Sequence, residues 1–137
     1  MNVTDWVLDT NVLISAVLSC KGTPHALVQH ILNNGCLVFS TATFEELRSR
    51  IYRPKFDVYL SLDMREGLLH DFSASARWVE PDTVLPYSRD PSDDVFIATA
   101  VKAGLSLLVS GDEDLLEAPL PSGLQVLTPA QALSAHT

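Results

Sequence analysis

Asp9, Glu46, Asp93 and Asp112 are the residues of this chain whose type and placement could do chemistry. Carboxylates are hard oxygen donors, and a group of them suits a hard divalent cation, Mg2+ or Mn2+, that keeps several waters. Such an ion can polarise a phosphate oxygen and lower the pKa of a bound water. Each acid also has an ordinary structural use. Asp9 could cap the helix after it. Glu46 lies three residues after Thr43, the capping-box spacing. Asp90-Pro91-Ser92-Asp93 reads as a cap, a first-position proline and an acid favoured by the helix dipole. Asp112 could cap a short helix over residues 113–117. Taken together the acids are harder to explain as caps. Two unit charges ~4 Å apart repel by ~1 kcal/mol in water and by ~4 kcal/mol at an effective dielectric of 20. Grouped without a cation, they would destabilise the fold or raise the pKa of one member.

These acids must be positioned by elements that alternate along the chain. Trp6-Val7-Leu8 reads as a buried strand, followed by a helix over residues 12–18. Thr23, with Pro24 behind it, is expected to cap a helix that continues over 25–33 and stops at Asn34-Gly35. A second strand is expected over 36–39, then a helix over 41–52 ended by Arg53-Pro54. Another helix covers 61–76, and Trp78-Val79 forms a short third strand. A proline-rich loop leads to a helix over 92–102 with Ala103-Gly104 as its stop. Strands over 105–109 and 124–127 follow, and Thr128-Pro129 opens a last short helix. Strands alternating with helices imply right-handed crossovers and a parallel sheet of about five strands covered on both faces. Ligands of such folds sit outside the carboxyl ends of the strands. Asp9 and Asp112 each follow a strand, while Glu46 and Asp93 lie early in helices, so all four should approach that one edge.

Composition narrows the classes. At 137 residues the expectation is one domain, residues 1–137, with 47% hydrophobic and 19% charged residues. Its longest apolar runs are too short to span a bilayer, and Asp5 and Asp9 interrupt what a signal peptide would need. Cys20 and Cys36 have no metal or redox spacing and are expected to be buried small apolar residues in a reducing cytoplasm, the expected location. No Ser-His-Asp or Cys-His nucleophile and no Gly-rich phosphate loop is visible. A net charge of −8 opposes phosphate binding on its face. The charges are segregated, however: Arg48, Arg50, Arg53 and Lys55 fall close together, away from the acids at 90–94 and 112–117. The basic run alone reads as a solvated helix face.

At these residues the chain resembles the PIN-domain family, in particular the small prokaryotic members described as toxins of toxin–antitoxin pairs. The matching segments run in family order over nearly the whole chain. They are Leu8-Asp9-Thr10-Asn11-Val12-Leu13-Ile14-Ser15, Glu46-Leu47 with Tyr52-Arg53-Pro54-Lys55-Phe56, Arg89-Asp90-Pro91-Ser92-Asp93-Asp94 with Phe96, and Val109-Ser110-Gly111-Asp112-Glu113-Asp114-Leu115-Leu116. The resemblance implies a three-layer α/β/α fold and a metal-dependent ribonuclease using Mg2+ or Mn2+. It gives Asp9, Glu46, Asp93 and Asp112 the roles of metal ligands or water-activating carboxylates, with Asn11, Ser110, Asp114 and Asp94 as orienting neighbours. Asp93 is preferred to Asp94 because its spacing to Phe96 and Ala100 matches the family pattern. Arg48, Arg50, Arg53 and Lys55 would then position phosphate. Implied partners are RNA, an antitoxin protein that covers the site, and a second copy of the chain.

Other readings remain open at this point. An RNA-processing nuclease without a toxin role would use the same acids. A phosphotransfer domain could use Asp9 as acceptor, although neither an Asp-x-Asp pair nor a clear phosphate-binding lysine accompanies it. A non-catalytic partner-binding α/β module could keep the acids for a structural ion.

Overall fold

Strand and helix alternate as their apolar patterns require. The computed structural model describes residues 4–87, 90–117, 120–121 and 123–136. β1 (Asp5–Leu8) leads to α1 (Thr10–Leu18) and α2 (Thr23–Asn34), and β2 (Cys36–Phe39) to α3 (Thr41–Ile51). A 3-10 turn (Pro54–Phe56), absent from the sequence reading, precedes α4 (Leu62–Ser75) and β3 (Arg77–Trp78). After α5 (Pro91–Lys102) come β4 (Leu107–Val109), α6 (Glu113–Leu116), β5 (Gln125–Leu127) and α7 (Pro129–His136).

The strands form one parallel sheet in the order β3-β2-β1-β4-β5. Period-two alternation decides what each face buries. Trp6 and Leu8, Leu37 and Phe39, and Leu107 and Val109 point into a core shared with α1, α2, α3, α4 and α7. Val7, Val38 and Leu108 point the other way, against Phe96, Ile97 and Ala100 of α5 and Leu115 of α6. The result is the expected three-layer α/β/α arrangement. β1 lies between β2 and β4, so strand order reverses there, and the crevice beyond the carboxyl ends of β1 and β4 is the place for a ligand. Among the described residues no helix is long and apolar enough to cross a membrane.

Four local details differ from the sequence reading. Gly22, not Thr23, is the N-cap of α2, and it makes no side-chain cap bond. Proline fits either of the first helical positions, so Pro24 did not settle the boundary. The capping box of α3 is closed by Ser40 and Thr43, because the helix starts earlier than the Thr43–Glu46 spacing implied. Glu46 is thereby left free of capping. β4 begins at Leu107, later than expected, because Gly104 takes a left-handed φ of 73° and Leu105 N–H still bonds the Ala100 carbonyl at 3.0 Å. Finally, Cys20 is exposed and Cys36 half-buried. Cys20 falls in the α1–α2 turn, outside the apolar face of either helix. Cys36 opens β2, where its Sγ–H donates to Asp5 Oδ1 at 3.2 Å.

Candidate functional site

The first residue after β1 is Asp9, held between two strands: its N–H donates to the Val109 carbonyl at 3.0 Å. Asp9 Oδ1 accepts from Val12 N–H at 3.1 Å as the cap of α1. Its Oδ2 accepts from the hydroxyl of fully buried Ser110, just past β4. The same Ser110 oxygen accepts the N–H of Asp112 at 2.9 Å. One hydroxyl therefore ties the ends of the two central strands to two of the candidate acids. Glu46 projects from α3, where Oε2 accepts from Thr10 Oγ1 at 3.2 Å and Oε1 pairs with Arg50 Nη2 at 2.7 Å. Asp93 comes from the first turn of α5. The two helices are registered against each other by Thr99, whose hydroxyl donates to Ser40 Oγ at 2.9 Å.

All four carboxylates line one cleft of about 30 Å3 together with Asn11, Arg50 and Asp90. Asp94, one residue on and rotated about 100° around the helix, is instead occupied with Tyr87, whose N–H it accepts at 3.0 Å. Asn11 Oδ1 accepts from Arg50 Nη1 at 3.0 Å. The basic run divides. Arg50 reaches the cleft, whereas Arg48 pairs with Glu45 at 3.4 Å and lies over the Phe44 ring. Arg53 opens the 3-10 turn and Lys55 lies over the Phe56 ring. The Asp114 side chain and Arg89 lie outside the described residues.

Crowding perturbs these acids. Asp93 is only 8% exposed, and its Oδ2 is buried with no hydrogen-bond partner among the described residues. Burial, then the neighbouring Asp112 and Asp90 carboxylates, push its carboxyl up to about 7, and it shares a side-chain hydrogen bond with Asp112. Two carboxyl groups can share such a bond only when one holds a proton. Burial also raises Asp9, against the lowering effect of Ser110 and Val12, and raises Glu46 despite Arg50. Asp90 is lowered, because Ser92 donates to it from both hydroxyl and backbone.

A family model described as PIN domain matches residues 5–114. The chain belongs to the PIN-domain family. An uncharacterized protein of Methanocaldococcus jannaschii, MJ1680, is 30% identical over 112 residues, which cover 80% of this PIN domain chain and 72% of that protein. Among solved structures, VapBC2 from Rickettsia felis bound to a DNA fragment from their promoter is similar, with a TM-score of 0.61 at 11% identity. That match covers 90% of this chain and 98% of the other. VapBC-1 from nontypeable Haemophilus influenzae matches with a TM-score of 0.57 at 14% identity, covering 92% and 98%. At such identities the two structures speak for the PIN fold.

The donors of this PIN domain fit a hard cation. They are all oxygen, and among the described residues Asp93 Oδ2 is a buried acceptor facing no donor. Among the described residues, no group of three or more His, Cys, Asp or Glu side chains is arranged to hold a metal ion as it stands. In the present cleft the Arg50 guanidinium sits against Glu46, and the crowded Asp93 carboxyl is raised to about 7. Three residues at this site carried no site role in the sequence reading. Thr10, inside the Asp-Thr-Asn segment, was readable as a neighbour of Asp9. Asp90 is the cap that its spacing predicts, and it lines the cleft as well. Thr99 offered no signal, because its partner Ser40 is 59 positions away.

Proposed function

We propose that this PIN domain is a ribonuclease dependent on Mg2+ or Mn2+, which hydrolyses RNA phosphodiester bonds and serves as the toxin of a toxin–antitoxin pair. The observation that carries the proposal is the meeting of Asp9, Glu46, Asp93 and Asp112 in one cleft at the switch in strand order. A phosphodiester would be repelled from so acidic a cleft unless a cation were present. Asp9, Glu46, Asp93 and Asp112 would hold it. When bound, the ion would polarise a phosphate oxygen and ease ionisation of a water.

The chain's own groups account for the rest. Ser110 and the Val12 N–H fix Asp9, so its carboxylate needs no reorganisation during the reaction. Thr10 orients Glu46. Asp93 Oδ2, buried and without a donor among the described residues, would be a ligand atom that the ion satisfies. Asn11 and Ser110 would position these groups, with the Asp114 side chain assigned the same role from the resemblance, whereas Asp94 holds the Tyr87 N–H and takes no part. Arg50 would meet phosphate at the cleft, and Arg48, Arg53 and Lys55 would meet RNA further out. Support for the antitoxin partner comes from the likeness to the VapBC2 and VapBC-1 folds.

Purified protein incubated with labelled RNA pools is expected to cleave in Mn2+ and to stop in EDTA. The Asp112→Asn protein should cleave about a hundredfold more slowly. Cleavage of equal rate in all three cases would come from a contaminating nuclease and would remove the basis for the proposal.

A further inference from the structure

We propose that Arg50 is a built-in counter-cation of the cleft, so that a divalent ion can bind at Glu46 only by displacing its guanidinium. The inference rests on the metal-dependent reading above and adds how that site is kept stable without metal. Arg50 places Nη2 2.7 Å from Glu46 Oε1 and Nη1 3.0 Å from Asn11 Oδ1, bridging two elements of the cleft wall. Among the described residues that line the cleft it is the cationic side chain, set among Asp9, Glu46, Asp90, Asp93 and Asp112. Its charge acts on Asp9 and Asp90 as well as on Glu46. A guanidinium cannot lose its charge by deprotonation. If the ion is to take its place, the side chain must move. A route exists, because the Arg50 side chain is 26% exposed, at the end of a long flexible stem. Asp93 Oδ2, buried and facing no donor among the described residues, is an acceptor that Arg50 leaves unserved and that an entering cation would serve.

Competition of this kind is reciprocal. Whatever free energy holds Arg50 on Glu46 appears as weakened affinity for the ion. Mn2+ binding, measured by calorimetry and by the free-ion electron paramagnetic resonance signal, is therefore expected to tighten about tenfold in Arg50→Gln. Arg50→Lys keeps the charge but cannot bridge Glu46 and Asn11, and should fall between. A purely structural role for Arg50 predicts the opposite, a looser site in Arg50→Gln. In the unaltered protein, the Arg50 Nε–Hε resonance should shift and exchange faster with water as Mg2+ is added. Its half-saturation should equal that of Mg2+ binding, and EDTA should reverse the change. Equal or weaker Mn2+ binding by Arg50→Gln overturns the proposal and leaves the metal reading standing. Absence of Mn2+ binding in both proteins overturns both. Should Arg50→Gln fail to fold, an Arg50 resonance unmoved at saturating Mg2+ overturns the proposal by itself.

Discussion

Replacing Asp93 by Asn tests the electrostatics of the cleft without any substrate. The Asp93 carboxyl is pushed up to about 7 from 3.8, chiefly by burial and then by the Asp112 and Asp90 carboxylates. In the folded state it therefore binds a proton that the unfolded chain has already released. Between about pH 4 and 7 stability must then fall as pH rises, and above the folded pKa the full cost remains. Asn has no charge to bury, and its amide can still donate to Asp112. Like charges ~4 Å apart cost ~4 kcal/mol at an effective dielectric of 20, but the mouth of the cleft admits water, so ~1–2 kcal/mol is the realistic gain. With an unfolding entropy of roughly 0.3 kcal/mol/K for 137 residues, this amounts to a Tm rise of about 3–7 °C. Circular dichroism melts in EDTA should show the two proteins alike near pH 4, with Asp93→Asn ahead by that margin at about pH 8. Added Mn2+ at ~100 times its Kd should stabilise the unaltered protein by ~2.7 kcal/mol and the variant far less. A constant offset between the two melting curves across pH, or a less stable variant at alkaline pH, would refute the reasoning.

The polar ties that position the acids can be measured in urea. Ser110→Ala deprives buried Asp9 Oδ2 of its donor and the Asp112 N–H of its acceptor, and is expected to cost ~1–3 kcal/mol, with Ser110→Thr losing less. Thr99→Val removes the hydroxyl that joins α5 to Ser40 at the start of α3, and should cost ~1–2 kcal/mol. An unchanged urea midpoint in either case would show that water replaces the missing group.

Much of the scaffold could be read from local pattern, because strand faces follow from alternation alone. Trp6 and Leu8 against Val7, and Leu37 and Phe39 against Val38, assign both layers of the core before any contact is known. The order of the strands is a different kind of fact. It depends on β4 returning to the side of β1 opposite β2, a pairing between residues about a hundred positions apart. Helix starts were least legible, since Thr43 and Glu46 have the capping spacing while Ser40 performs the capping. The bond from Arg50 to Asn11, 39 positions apart, was beyond reach for the same reason as the strand order. Its pairing with Glu46, by contrast, is an ordinary i,i+4 contact that the spacing announces.

The acids of the cleft also show why a structural use and a chemical one need not compete. Asp9 caps α1 with Oδ1 and spends Oδ2 on Ser110, yet still lines the cleft. Asp90 caps α5 and lines it too. Asp94 is engaged by Tyr87 and lies off the cleft, which accounts for an acid at that position without invoking chemistry. Asp93 is the exception. Its place in the first turn of α5 offers a weak dipole benefit, typically below ~1 kcal/mol at an exposed helix end. Against that stand burial beside Asp112 and an Oδ2 that meets no donor among the described residues. A neutral residue there would spare the fold that cost. Local rules broken without local compensation are expected at functional positions, and in this cleft the broken rule falls on the carboxyl whose cost an entering cation would remove.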